Sequence, residues 1–200
     1  MHPESKHYNL PSKRSERRGF GSYFLNIILL GYRGTGKSVV SKLLSKQLKR
    51  RLYRLDAMIE EAVGITIPEI VSIWGWVRFR EIEATIVEQV ANEAQDAIID
   101  CGGGVVLNDR NIRKLKADGK AVLLTAHIDT LLSRLRRDRN KRPPLKKGLP
   151  WEDEHRRVLA ERQDQYHAAA DLVCDTTEKR PDETVYEIIN YFKKQSWVNA

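Results

Sequence analysis

Apolar residues along this chain come in short blocks set among charged, helix-like stretches. Phe24–Leu30, interrupted only by Asn26, reads as a strand covered on both faces. A glycine-rich turn follows at once, and then a helix over about Lys37–Arg50. Arg51–Leu55 is a short strand. Ala57–Val63, Ile67–Trp74 and Arg78–Ala94 read as helices, parted by Gly64 and Gly75. Ala97–Asp100 is a strand running into Gly102-Gly103-Gly104. A helix near Asp109–Ala117 stops at Gly119, Ala121–Thr125 is the next strand, and Asp129–Asp138 is helical. Pro143, Pro144 and Pro150 break the pattern before it resumes as a helix over Trp151–Ala169. Leu172–Cys174 forms a last strand and Asp182–Gln195 a last helix. Strands alternating with helices predict an α/β domain, its parallel sheet covered on both faces. No internal repeat and no second domain are evident.

The length of 200 residues accommodates one such domain, residues 23–200, preceded by an extension, residues 1–22. That extension holds Ser, Pro, Gly, Lys and Arg without apolar periodicity and reads as a disordered basic tail. It lacks the apolar stretch of a secretory signal, and Glu4, Glu16 and its prolines speak against a transit peptide. No apolar run approaches the length that spans a bilayer, so no membrane partner is expected. Cys101 and Cys174 make neither a disulfide scaffold nor a four-ligand zinc site, and the histidines show no metal-ligand spacing. A reducing, cytoplasmic setting follows.

A net charge of +8 invites a nucleic-acid reading, but the excess is local. Residues 1–24 carry five basic groups against two acidic ones. Residues 134–147 carry eight basic groups against Asp138 alone, which leaves the remainder slightly negative. A basic loop in that second place suits a phosphate-handling lid at least as well as a duplex-binding face. The expected partner is a small molecule rather than nucleic acid.

The strongest signal is Gly31-Tyr32-Arg33-Gly34-Thr35-Gly36-Lys37-Ser38, which fits G-x-x-x-x-G-K-[ST] between an apolar strand and a helix. Its glycines let backbone N–H groups turn inward around phosphate oxygens, and the helix N-terminus adds a positive dipole. Lys37 is placed to reach β- and γ-phosphates and Ser38 to ligate Mg²⁺. Asp56 follows the second strand, at the edge where open α/β sheets bind ligands. Arg80 and Glu83 stand three apart on a helix, so the carboxylate can orient the guanidinium. Arg142 precedes two prolines in the basic loop, and Arg162 lies four residues before Tyr166 on the helix after it.

Taken in order, these residues resemble the shikimate kinases. Leu55–Glu60 resembles the family segment that carries its substrate-binding aspartate, and Ile67-Pro68-Glu69-Ile70 the stretch before its substrate arginine. Phe79-Arg80-Glu81-Ile82-Glu83 matches Phe-Arg-x-x-Glu, and Gly102–Val106 the triple-glycine segment. Arg142-Pro143-Pro144-Leu145 resembles the Arg-Pro-Leu-Leu lid motif, and Arg162, Tyr166 and Ala170-Asp171 fit Arg-x-x-x-Tyr-x-x-x-Ala-Asp. The likeness runs from about residue 25 to 195. It implies a P-loop kinase domain of the nucleoside-monophosphate-kinase type, a five-stranded parallel sheet flanked by helices with a mobile lid. It also implies ATP-dependent phosphorylation of the 3-hydroxyl of shikimate, in aromatic amino-acid biosynthesis, by a monomer. On that resemblance Asp56, Lys37 and Arg142 are catalytic. Gly31, Gly34, Thr35, Gly36, Lys37, Ser38, Arg134 and Arg142 bind ATP, while Asp56, Arg80, Gly102, Gly103, Gly104 and Arg162 bind shikimate. Mg²⁺ falls to Ser38.

Two positions depart from the family pattern. Arg54 stands where a second carboxylate near Mg²⁺ is usual, and Trp76 follows Gly75 where glutamate is usual. Asp100, just before Cys101, is a candidate replacement for the missing carboxylate. Arg54 therefore keeps open a catalytically impaired, ligand-binding relative. A kinase acting on another small hydroxy-acid is the other alternative.

Overall fold

The structure, a computed structural model, describes residues 25–138, 143–145 and 148–198. The expected tail, residues 1–22, lies outside them, as does Arg142 of the basic loop. Five strands, β1 (Asn26–Leu30), β2 (Leu52–Arg54), β3 (Ile98–Asp100), β4 (Gly119–Thr125) and β5 (Leu172–Asp175), form one sheet in the order β2-β3-β1-β4-β5. All four pairings are parallel. Among the described residues seven α-helices flank them: α1 (Lys37–Leu48), α2 (Leu55–Val63), α3 (Ile67–Glu93), α4 (Asp109–Lys116), α5 (Ile128–Arg137), α6 (Trp151–Ala169) and α7 (Pro181–Lys194). Among the described residues, no helix is long and apolar enough to cross a membrane.

Strand β1 is central and wholly buried, which explains its near-continuous apolar run. Alternate residues feed two cores. Ile28, Leu30, Ile99 and Leu123 pack against α2, α3 and α6 on one face. Ile27, Leu29, Ile98 and Val122 pack against Val40 and Leu44 of α1 and Val185, Ile188 and Phe192 of α7 on the other. Asn26, the polar interruption in that run, is 1% exposed. Its amide donates to Ala94 O at 3.0 Å and accepts from Ala97 N at 2.9 Å, so it fastens the turn into β3 to the sheet.

As expected, Gly75 parts two helical stretches: at φ 77° and ψ 175° it is non-helical, so α3 consists of two helices meeting across a kink. Thr66 caps α3 in a capping box with Glu69, and Pro68 sits in its first turn. Leu55, expected at the end of the strand, instead opens helix α2, so Asp56 lies in the first turn of that helix. Gly119, read as a helix stop, opens β4 opposite Asn26. A short 3₁₀ turn, Val105–Leu107, follows the triple glycine.

Candidate functional site

The carboxyl ends of β1, β2 and β3 open onto a cavity of about 760 Å³. Its floor is the loop from β1 to α1. Gly31 has φ 142°, and a Cβ there would lie 2.4 Å from the Leu124 carbonyl, so no side chain fits against β4. Gly34, Gly36, Lys37 and Ser38 line the cavity. The Lys37 ammonium donates to Gly31 O (2.6 Å) and Tyr32 O (2.9 Å), across the hollow of its own loop. Thr35 faces inward: it is 2% exposed and its hydroxyl donates to Tyr32 O at 2.9 Å. Arg134, on α5, donates to Gly34 O (3.3 Å), Thr176 Oγ1 (3.1 Å) and Thr176 O (2.6 Å), which fixes the plane of its guanidinium at the cavity edge.

Asp100 ends β3 beside Leu29 of β1 and faces the start of α1. It accepts hydrogen bonds from the hydroxyls of Ser38 and Ser41, the latter at 3.3 Å. Burial pushes its carboxyl above the usual carboxylate range, while the Lys37 ammonium and the two hydroxyls pull it back. Ser38 and Asp100 thus offer hard oxygen donors at one spot next to the phosphate loop, the donor chemistry that Mg²⁺ takes together with nucleotide oxygens and water. No cluster of three or more His, Cys, Asp or Glu suited to a metal occurs among the described residues. Cys101 and Cys174 are buried thiols whose pKa burial raises, that of Cys174 to about 12.

A second, narrow pocket adjoins the first and shares Arg33, Asp56 and Gly103 with it. Two arginines flank it. Arg80 donates to Glu83 Oε2 at 2.6 Å, and its guanidinium lies over Phe79 (4.9 Å) and Trp76 (5.6 Å). Arg162 is 9% exposed and donates to Gly103 O at 3.1 Å, where the Tyr166 hydroxyl also donates. Glu83 is almost wholly buried, its carboxyl raised by burial against the pull of Arg80, and its Oε1 has no hydrogen-bond partner. Gly102 leaves room for Asp56 Oδ1, which would lie 2.6 Å from a Cβ there.

The arrangement brings Lys37, Ser38, Arg134, Asp56, Arg80, Arg162 and the triple glycine to one sheet edge. Gly31 and Thr35 shape the loop from behind. Several contributors lack a signal in the linear pattern. Arg33 lines both pockets, and Tyr32 and His155 join the phosphate loop to α6 through a 2.7 Å hydrogen bond between Tyr32 Oη and His155 Nδ1. Burial raises the Tyr32 hydroxyl to about 12 and lowers the His155 ring, so both stay uncharged across this hydrogen bond. A tyrosine at the second loop position carries the only hint, since a buried phenol needs a partner. Trp76, on α3, donates from Nε1 to Pro144 O at 3.3 Å and so ties the pocket wall to the segment after Arg142.

Comparison with known proteins agrees with this geometry. The family described as Shikimate kinase matches residues 33–193. The shikimate kinase of Pelotomaculum thermopropionicum is 36% identical over 173 residues, covering 86% of this chain and 98% of that protein. That of Geobacter sulfurreducens is 37% identical over 169 residues, covering 84% and 91%. Among solved structures, shikimate kinase from Acinetobacter baumannii in complex with shikimate superposes with a TM-score of 0.79 at 28% identity, covering 86% of this chain and 94% of that one. The Aquifex aeolicus shikimate kinase gives 0.71 at 27%, covering 88% and 100%.

Proposed function

The chain belongs to the shikimate kinase family, and from that premise we propose that it moves the γ-phosphoryl group of ATP to the 3-hydroxyl of shikimate. The observation that carries this reading is the shared wall of the two pockets. Asp56 lines both, with the phosphate loop on one side and the paired arginines on the other. A donor and an acceptor held there meet at one carboxylate.

Shikimate is a carboxylate bearing three hydroxyls. Arg80 and Arg162 approach the narrow pocket from α3 and α6 and can bind the carboxylate as charge-assisted forks. Asp56 then accepts the proton of the attacking hydroxyl, which it holds toward the donor. Gly103 turns its carbonyl to Arg162 and Tyr166, which leaves N–H groups of the triple glycine for substrate oxygens. Lys37 exchanges two loop carbonyls for β- and γ-oxygens of ATP, a stronger pairing. Arg134 presents a fixed plane on which adenine can stack. Arg142 serves as the cation against the transferring group, a contribution of about 10³–10⁵ in related phosphoryl transfer.

Ser38 and Asp100 are the residues that would hold Mg²⁺, and the ion would supply charge neutralisation at the nucleotide phosphates. Asp100 supports this reading in spite of Arg54, since a carboxylate stands one strand over from where the family usually has one. A monomer working in the cytoplasm completes the reading.

A coupled assay of ADP release with ATP, Mg²⁺ and a panel of hydroxy-acids tests it. Turnover should require shikimate and fall at least tenfold with gluconate. Equal rates with gluconate, or no acceptor-dependent turnover, would overturn it.

A further inference from the structure

One cation at the phosphate cavity has no part in the scheme above. Arg54 ends β2 in register with Asp100 on β3. Side chains in register on parallel neighbours leave the sheet on the same face, so Arg54 projects on the side of Asp100 and α1. Both line the cavity with Lys37 and Ser38. They do not pair with each other. Asp100 is turned in toward the α1 hydroxyls, and no described residue holds the Arg54 guanidinium by a hydrogen bond or ion pair, although it stands exposed on the cavity wall. A guanidinium cannot ligate a metal ion, but its five donors match phosphate oxygens in fork geometry.

We infer that Arg54 is a phosphate-binding residue, a fixed cation for the terminal phosphates of the nucleotide on the side where a divalent ion would sit. The inference rests on the ATP reading of the cavity. Lys37 and Arg54 approach the same phosphates from α1 and β2. The chain thereby carries within itself part of the neutralisation that a divalent ion otherwise supplies. Removing that ion should cost this protein less nucleotide affinity than it costs a variant without the charge at 54. AMP, which has no terminal phosphates, should not sense Arg54 at all.

Calorimetric titration of the full chain with ATP and AMP, in chelator and again with Mg²⁺, tests this on the wild type, Arg54→Gln and Arg54→Lys. Arg54 is exposed, so neither change threatens the core. In chelator the Gln variant should bind ATP about 3–10-fold more weakly, an exposed charge-assisted contact being worth up to about 1.4 kcal/mol. The Lys variant should recover most of the loss, AMP should bind all three alike, and Mg²⁺ should narrow the gap. Unchanged metal-free ATP affinity in the Gln variant would overturn the inference, as would an equal loss for AMP. A wild type that binds no ATP even with Mg²⁺ would instead overturn the reading of the cavity on which it stands.

Discussion

Gly104→Ala isolates the acceptor grip without touching any charged group. A Cβ at this position would stand 2.0 Å from Arg80 Nη2, 2.3 Å from Cζ and 2.4 Å from Nη1. Backbone strain plays no part, because Gly104 has φ −116°, open to any residue. What must move is the far end of a long side chain, so the fold should survive while the guanidinium leaves its place. Arg80 then loses its aim at the acceptor, and the Glu83 carboxylate, 1% exposed, loses its cation. A lost charge-assisted hydrogen bond of about 1.5–3 kcal/mol corresponds to roughly a 10–100-fold rise in KM for shikimate. KM for ATP should stay within about twofold, since Gly104 does not line the phosphate cavity. Steady-state kinetics with each substrate varied, beside a melting curve, reads both numbers. Arg80→Ala supplies the control: if Gly104 matters only as space for Arg80, the double variant should be no worse than Arg80→Ala alone. A folded Gly104→Ala enzyme with unchanged KM for shikimate would refute the reasoning.

Lys37→Ala should abolish turnover in a protein that still folds cooperatively, because the ammonium's main task is at the phosphates and it sits on the surface of the loop rather than in either core; substantial residual kcat would remove the phosphate-loop assignment. Asp100→Asn should raise the Mg²⁺ concentration for half-maximal rate about 10-fold, and Arg54→Asp in that background should partly restore it; an unchanged metal titration would leave Asp100 without this role. Burial lifts the Glu83 carboxyl, so its stabilising contribution is present below the unfolded value of about 4.3 and is lost as pH rises through the folded pKa. Glu83→Gln cannot ionise, so the wild type should lose melting temperature relative to it as pH rises above the unfolded carboxyl value; a gap that stays flat would count against the burial argument.

The helices and strands were legible wherever a local signal marked their ends. Trp151–Ala169 agrees with expectation at both termini because Pro150 stops the chain before it and the sequence turns apolar after it. Gly75 was legible too: at φ 77° and ψ 175° it interrupts helical geometry inside α3, as a glycine between two helical stretches announces. Strand order was beyond local reading altogether, because it follows from which faces must be covered. That order decides where the chemistry meets: β3 lies between β2 and β1, and so Asp100 arrives beside Ser38, sixty-two positions away in the chain. The paired arginines were visible as residues, yet their setting was not. Phe79 and Trp76 under Arg80, and Tyr166 beside Arg162 on the Gly103 carbonyl, are tertiary facts with only motif spacing to announce them.

The position of the carboxylate bears on how tightly the metal side of the cavity is built. At the end of β2 a side chain is exposed, as Arg54 is, and would have to be ordered at an entropic cost of up to about 2 kcal/mol. At the end of β3 the side chain is 7% exposed and already held by Ser38 and Ser41. The ordering has been done by folding, and the penalty appears instead as desolvation, which lifts the Asp100 carboxyl. Lys37 offsets that penalty from the side facing the phosphates. When its ammonium turns to a nucleotide, Asp100 loses part of this compensation and gains reason to bind a cation through water. Metal and nucleotide should therefore each raise the other's affinity, because the phosphates draw Lys37 away from Asp100 and leave that carboxylate to a cation.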